Sequence, residues 1–134
     1  KVNLRLQEKY KTIAQNETRW EEYFMDDAEM VIAAYGTTAR IAKKSVKELR
    51  KAGIKAGLIR PITLWPFPAE AINKAADKAK AFLTVEMSCG QMVEDVRLAV
   101  NGKAPVEFFG RTGGMIPSWK EIYAAAEKAL GGVK

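Results

Sequence analysis

The chain has 134 residues, close to the commonest size of one domain, and 48% of them are hydrophobic, enough to bury a core without disulfides. It carries a net charge of +6 and no histidine, which removes the commonest general base and the commonest metal ligand. Cys89 is the single cysteine, so an internal disulfide is excluded and a zinc site is disfavoured. No apolar run reaches the about 18 residues of a membrane span and no signal peptide opens the chain, so we expect a cytoplasmic protein.

The positive charge does not by itself indicate nucleic acid. Lysine and arginine are interspersed with glutamate over residues 43–51, a pattern typical of a solvated helix face. The sequence has no RNP-like or helix-turn-helix motif. We therefore expect a solvated basic surface, with neither a nucleic-acid nor a membrane partner.

Residues 3–24 have the pattern of one long amphipathic helix, although residues 22–25 could instead form a short edge strand. We therefore divide the chain into a connector helix over residues 1–25 and an α/β domain over residues 26–134. Because the chain does not begin with Met, we expect a fragment of a larger subunit. The apolar positions of the predicted helix recur three or four residues apart, except where Glu17 interrupts the stripe; they are Leu6, Tyr10, Ile13, Trp20 and Phe24.

From residue 30 onward, short apolar runs alternate with helical patterns. Four strands are predicted, each followed by a helix that ends near residue 52, 79, 100 or 130. Helices between short apolar strands imply right-handed parallel crossovers. The predicted fold class is therefore α/β, a three-layer α/β/α sandwich with a mostly parallel sheet of four to five strands. The predicted strands are residues 30–35, 54–59, 81–86 and 105–109.

Three helix ends carry recognisable signals. Thr37 or Thr38 is expected to cap the first helix, and Gly53 is placed to end it in the left-handed conformation. Ser118 and Glu121 have the spacing of a capping box, which predicts the start of the last helix.

The connections that leave the predicted strands should gather along one rim, the usual ligand site of such folds. The turn at Gly36 has one glycine where a dinucleotide-binding turn needs three, so it is interpreted as a plain strand-to-helix turn. The loop Gly110–Gly114 could cradle an anion or could be a glycine-rich connection. Cys89 has no histidine to activate it, so we interpret it as an ordinary rim residue.

The stiff segment around residues 65–68 leaves two interpretations open. Trp65 and Phe67 are flanked by prolines, which keep the segment irregular and near the surface. Aromatic side chains there could anchor an interface or fill the core. Glu86, at the end of a predicted strand, could support a ligand held by a neighbouring domain.

Several short segments together carry a family resemblance: Glu22-Tyr23, Asp26–Glu29, Ala34–Arg40, Gly57–Pro68, Val85–Met87, Gly90–Met92, Asp95–Arg97, Gly110-Arg111 and Gly113-Gly114. They resemble the second domain of the alpha subunit of the 2-oxoacid:ferredoxin oxidoreductases, over about residues 20–130. The resemblance implies a fold like the C-terminal domain of transketolase, with one antiparallel edge strand in a mainly parallel sheet.

The resemblance implies a complex that oxidatively decarboxylates a 2-oxoacid to an acyl-coenzyme A and reduces ferredoxin. The resemblance implies that thiamine diphosphate and magnesium are held elsewhere in that complex. Iron–sulfur clusters are expected elsewhere as well, because one cysteine cannot hold a cluster that takes about four. The implied partners are the preceding domain of the same subunit and the beta and other subunits. Ferredoxin and coenzyme A are partners at the level of the complex.

We therefore expect a non-catalytic docking domain that is inactive in isolation and has no catalytic, cofactor-binding or metal-ligating residue of its own. The alternative is a stand-alone flavodoxin-like domain that binds a phosphorylated ligand at the strand-end rim. The candidate interface or anion-binding residues are Trp65, Phe67, Gln91, Arg111, Gly113 and Gly114.

Overall fold

The computed structural model describes residues 18–62, 67–87, 92–110 and 116–131 of the chain. Within these ranges the chain forms five strands and four helices. In order they are β1 (Trp20–Tyr23), β2 (Met30–Ala34), α1 (Gly36–Lys51), β3 (Ala56–Pro61), α2 (Ala69–Ala75), β4 (Ala81–Glu86), α3 (Met92–Val100), β5 (Val106–Gly110) and α4 (Trp119–Gly131).

The five strands form one sheet in the order β1-β3-β2-β4-β5. Strand β2 pairs in parallel with both β3 and β4, and β4 pairs in parallel with β5. Strand β1 pairs antiparallel with β3 at the edge of the sheet. The four predicted parallel strands and the antiparallel edge strand implied by the resemblance are therefore confirmed.

Helices cover both faces of the sheet. Every residue of β2 and β4 is buried, as expected for strands in a sheet covered on two sides. Alternate side chains enter opposite clusters, because successive residues of a strand point to opposite faces. Met30 and Ile32 pack with α1 and α4, whereas Val31 and Ala33 pack with α2 and α3. The three-layer α/β/α sandwich is thus confirmed.

The N-terminal helix prediction is wrong over Trp20–Tyr23, which form β1, whereas the alternative of an edge strand over residues 22–25 is confirmed for Glu22 and Tyr23. The segment pairs with β3, and Glu21 lies opposite Arg60, whose guanidinium is 3.1 Å from the Glu21 carboxylate. Pairing with β3, which is distant in sequence, therefore outweighs the local helical pattern of Trp20–Tyr23. The sheet therefore includes residues before the expected boundary at residue 26, while residues 3–17 of the predicted helix lie outside the described residues.

Helix α1 begins one or two residues earlier than its expected threonine cap. Its first residue is Gly36, whose positive φ of 61° makes the sharp turn out of β2, and no side chain caps the N-terminus. The predicted cap at Thr37 or Thr38 is therefore wrong, because both residues lie inside the first turn.

The predicted end of α1 at Gly53 is confirmed. Gly53 has φ 88° and its N–H donates to the Arg50 carbonyl, while the Ile54 N–H donates to the Leu49 carbonyl. This is a Schellman motif. Because Ile54 takes part in it, β3 runs over Ala56–Pro61 rather than residues 54–59.

The start of α4 agrees with the prediction, whereas the end of α2 does not. The capping box of α4 is confirmed, since the Ser118 N–H donates to Glu121 at 3.2 Å and the Glu121 N–H donates to Ser118 Oγ at 3.3 Å. Helix α2 is shorter than predicted: it ends at Ala75 and the chain continues in turns toward β4 rather than remaining helical to residue 79.

Arg50 fastens the turn between β1 and β2 to the end of α1. Its guanidinium lies 2.6 Å from the Asp27 carboxylate and donates to the carbonyls of Phe24 and Ala56, each at 2.7 Å. The Arg50 hydrogen bond holds the pKa of Asp27 below its ordinary value. Phe24 has φ 58°, a left-handed conformation that this network stabilises.

The same turn lies close against Gly57 of β3. A Cβ at Gly57 would lie 2.6 Å from Met25 Sδ, 2.7 Å from the Ala28 Cβ and 2.9 Å from the Phe24 carbonyl oxygen. Two of these three contacts involve backbone or a Cβ, which cannot move aside as a flexible side chain can. Only glycine fits at this point of the sheet.

We predict that Gly57→Ala lowers the free energy of unfolding by about 1–3 kcal/mol, the usual cost of overpacking a core. Urea denaturation followed by circular dichroism measures the change. The matched control is Gly131→Ala, because a Cβ there meets nothing within 4 Å. Equal stability of the two variants would contradict the close approach of the turn to β3.

Candidate functional site

The carboxyl ends of the parallel strands form one rim. Ala34 of β2 is level with Val85 of β4, and Glu86 is level with Gly110 of β5. The antiparallel strand β1 starts at the same rim, since Trp20 pairs with Pro61. The connections that leave β2, β3, β4 and β5 therefore emerge along one edge, as the sequence predicts.

This rim exposes apolar side chains. Of the six large hydrophobic side chains that are exposed among the described residues, four lie here. Trp20 opens β1, Ile62 and Met87 follow β3 and β4, and Ile116 lies in the connection from β5 to α4. Ile62 and Ile116 are each 54% exposed, an unfavourable position for a branched aliphatic side chain in water. Apolar side chains gathered on one edge are typical of an interaction surface.

Glu86 is a buried carboxylate that holds the start of α3. Its side chain is 1% exposed, at the last position of β4. Oε1 accepts the Met92 N–H at 2.6 Å, and Oε2 accepts the Val93 N–H at 3.0 Å. These two N–H groups belong to the first turn of α3, where the helix dipole also favours negative charge. Glu86 therefore fixes the two ends of the loop that joins β4 to α3.

Thr84 adds a second polar group to the same face of β4. It is fully buried two residues before Glu86, and within the described part of the chain its hydroxyl has no hydrogen-bond partner. Because residues two apart in a strand share a face, both side chains point toward the α2 and α3 layer. Thr84 and Glu86 thus make the carboxyl end of β4 polar on the face that packs against α2 and α3, where the other buried side chains are apolar.

One of the six candidate rim residues lies in the described part of the chain. Phe67 is partly buried and packs against the cluster that includes Ile72 and Phe82 of the α2 and α3 layer. For this residue the packing favours the core interpretation over a fully exposed anchor. The other five lie outside the described residues: Trp65, Gln91, Arg111, Gly113 and Gly114.

Among the described residues, no three His, Cys, Asp or Glu side chains come together in a way that could hold a metal ion. No helix in these ranges is both long and apolar enough to cross a bilayer. Cys89 lies in the segment 88–91, outside the described residues.

Sequence reasoning placed the rim correctly but missed the residues that make it apolar. Ile62, Met87 and Ile116 are single hydrophobic residues beside turns, and residues of these types are usually found buried. The signal available in the sequence was their position. Ile62 and Met87 directly follow a strand, and Ile116 lies shortly before the helix that follows β5. Whether each of these side chains is exposed depends on the residues that pack around it in the fold, and a local sequence pattern does not encode those neighbours.

Comparison of the fold with solved structures defines the class. The chain superposes on 2-oxoglutarate:ferredoxin oxidoreductase from Magnetococcus marinus with a TM-score of 0.78 at 18% identity, over 90% of this chain and 21% of that one. It superposes on a split-gene transketolase with a TM-score of 0.71 at 21% identity, over 84% of this chain and 41% of that one. The fold is therefore the transketolase C-terminal-like α/β sandwich.

Sequence comparison identifies the family. Residues 28–122 match the family described as pyruvate:ferredoxin oxidoreductase core domain II, and the chain belongs to it. The chain is 46% identical over 129 residues to ketoisovalerate oxidoreductase subunit VorB of Methanothermobacter thermautotrophicus, covering 96% of this chain and 36% of that protein. It is 39% identical over 97 residues to 2-oxoglutarate synthase subunit KorA of Methanothermobacter marburgensis, covering 72% of this chain and 26% of that protein.

The expected family is thus confirmed, and the alternative of a stand-alone flavodoxin-like domain is not favoured. The chain spans about a third or less of the length of these curated relatives. Both are named as subunits, which fits a domain that works beside other domains and chains.

We predict that Glu86→Gln lowers the free energy of unfolding by about 1–3 kcal/mol, because the amide NH2 group replaces one carboxylate oxygen and cannot accept the buried N–H that this oxygen accepts. Urea denaturation of the chain measures this loss. Glu107→Gln is the control, since Glu107 is exposed on β5 and should change stability by less than about 0.5 kcal/mol. A Glu86→Gln variant as stable as the control would show that the carboxylate does not hold α3.

Proposed function

We propose that the chain is a non-catalytic docking domain in a subunit of a thiamine-diphosphate-dependent 2-oxoacid:ferredoxin oxidoreductase. The single observation that carries the proposal is the 46% identity to a ketoisovalerate oxidoreductase subunit across 96% of the chain. Identity at this level over almost the whole chain supports a shared role as well as a shared fold. The proposed substrate class is the 2-oxoacids, and the proposed site of action is the cytoplasm.

The strand-end rim is the proposed docking face. It combines exposed Trp20, Ile62, Met87 and Ile116 with the ends of the strand connections. Burying these side chains against another domain would contribute about 25 cal/mol for each Å² removed from water. The candidate residues of the rim that lie outside the described ranges, Trp65, Gln91, Arg111, Gly113 and Gly114, are proposed to extend the same face.

The chemistry is proposed to take place outside this chain. Thiamine diphosphate is held in part through Mg²⁺, which needs clustered oxygen ligands, and the described residues show no such cluster. The one cysteine does not fit an iron–sulfur cluster. The proposed partners are the preceding domain of the same subunit and the beta and other subunits, with ferredoxin and coenzyme A acting on the complex.

The proposal is tested first by co-purification. The full-length subunit that contains this chain should purify with its partner subunits and reduce a viologen dye only when a 2-oxoacid and coenzyme A are supplied. A complex of those subunits without 2-oxoacid-dependent reduction would overturn the proposed activity.

We predict that Ile62→Glu with Ile116→Glu in the full-length subunit weakens assembly, because docking would bury both new carboxylates without a partner. Both side chains are already exposed, so the domain itself should keep its stability. Analytical size exclusion measures the assembled fraction, and circular dichroism checks the fold.

The matched control is Leu98→Glu. Leu98 is 78% exposed on α3, away from the rim, so its replacement should leave assembly unchanged. Equal assembly of the rim variant and the Leu98 variant would reject the rim as the docking face.

A further inference from the structure

Positive charge is concentrated on one helix. Helix α1 carries six basic side chains and one acidic side chain, a balance of +5. Counted in the same way, α2 and α4 are neutral and α3 carries −1. Among the four helices of the described residues, α1 is therefore the positively charged one.

Four of these cations form a line along the solvent face of α1. Arg40, Lys44, Lys47 and Lys51 recur at spacings of four, three and four residues, which places them on one side of a helix. All four are exposed. They span about 16 Å at a rise of about 1.5 Å per residue. We call these four residues the basic stripe.

Three members of the basic stripe have no carboxylate partner among the described residues. Within the described residues, no salt bridge forms to Arg40, Lys44 or Lys47, whereas Lys51 lies 3.2 Å from Glu48. Other cations of α1 are used inside the fold: Lys43 lies over the Tyr23 ring, and Arg50 holds the β1–β2 turn.

The stripe costs the helix stability. Like charges three or four residues apart on a helix repel one another, as in the pairs Arg40–Lys44, Lys44–Lys47 and Lys47–Lys51. The first turn of α1 holds no acidic residue that would offset the positive end of the helix dipole. If α1 had no charged partner, a mixture of acidic and basic side chains along its solvent face would make the helix more stable than the basic stripe does.

A shallow aromatic groove lies beside the stripe. Trp119 and Tyr123 of α4 meet edge to face with ring centroids 6.3 Å apart. They line a groove of about 470 Å³ whose charged lining residues are Lys51, Lys120 and Glu48, the last of which pairs with Lys51. The ammonium groups of Lys44 and Lys120 lie 5.5 and 5.9 Å from the Trp119 ring. The surface thus offers a row of cations beside a place for one apolar side chain.

From this arrangement we infer that the basic stripe and the Trp119–Tyr123 groove bind an acidic segment of another subunit of the same complex. Carboxylates of the segment pair with the stripe, and an apolar side chain enters the groove. Complementary charge steers such an association and fixes its register. The inference rests on the proposed function, since it needs the chain to be part of a complex.

The test is lysine acetylation of the purified complex, compared with the full-length subunit alone. Lys44 and Lys47 should react several-fold more slowly in the complex, whereas Lys74 and Lys78, exposed on the α2 side, should react equally in both. Zero-length carbodiimide coupling should join Lys44 or Lys47 to an Asp or Glu of a partner subunit. A second measurement uses Lys44→Glu with Lys47→Glu, which should weaken assembly and reduce its dependence on salt.

The matched control is Lys74→Glu with Lys78→Glu, which changes the charge equally and should leave assembly intact. If the subunits co-purify but Lys44 and Lys47 stay fully reactive, the inference is overturned while the proposed function stands. If the subunits do not co-purify, both are overturned. Protection that disappears on nuclease treatment would assign the stripe to nucleic acid and also overturn the inference.

Discussion

The structure depends on one constraint: two of its three inner strands, β2 and β4, are buried along their whole length. A strand in this position can carry only apolar side chains or polar groups that find a partner. Helices must then cover each face, and no ligand can approach the middle of the sheet. What the domain offers to other molecules is confined to the rim at the strand ends and to the outer faces of the helices.

Glu86 shows how this constraint shapes the rim. It lies where a buried strand ends, and its carboxylate accepts two N–H groups of α3 instead of water. The interaction joins the end of β4 to the start of the next helix, so the connection between them has two fixed ends. A rim whose connections start and end on a rigid core suits a docking surface, because little conformational entropy is lost on binding.

The sequence was informative where structure is set by local signals. The apolar runs of β2 and β4, the left-handed Gly53 and the Ser118–Glu121 capping box each follow from a few adjacent residues. Strand β1 was not fully predictable, because Trp20–Tyr23 is stabilised by pairing with β3 about 40 residues away, including the Glu21–Arg60 ion pair. The apolar rim and the basic stripe needed the fold to show which side chains remain exposed and unpaired.

The central claim is that the strand-end rim faces another part of the oxidoreductase. The most direct measurement is a structure of the assembled complex that contains the full-length subunit. The account predicts that Ile62, Met87 and Ile116 lie against another domain or subunit and lose most of their exposed area. A complex in which these three side chains remain as exposed as they are in this domain would contradict it.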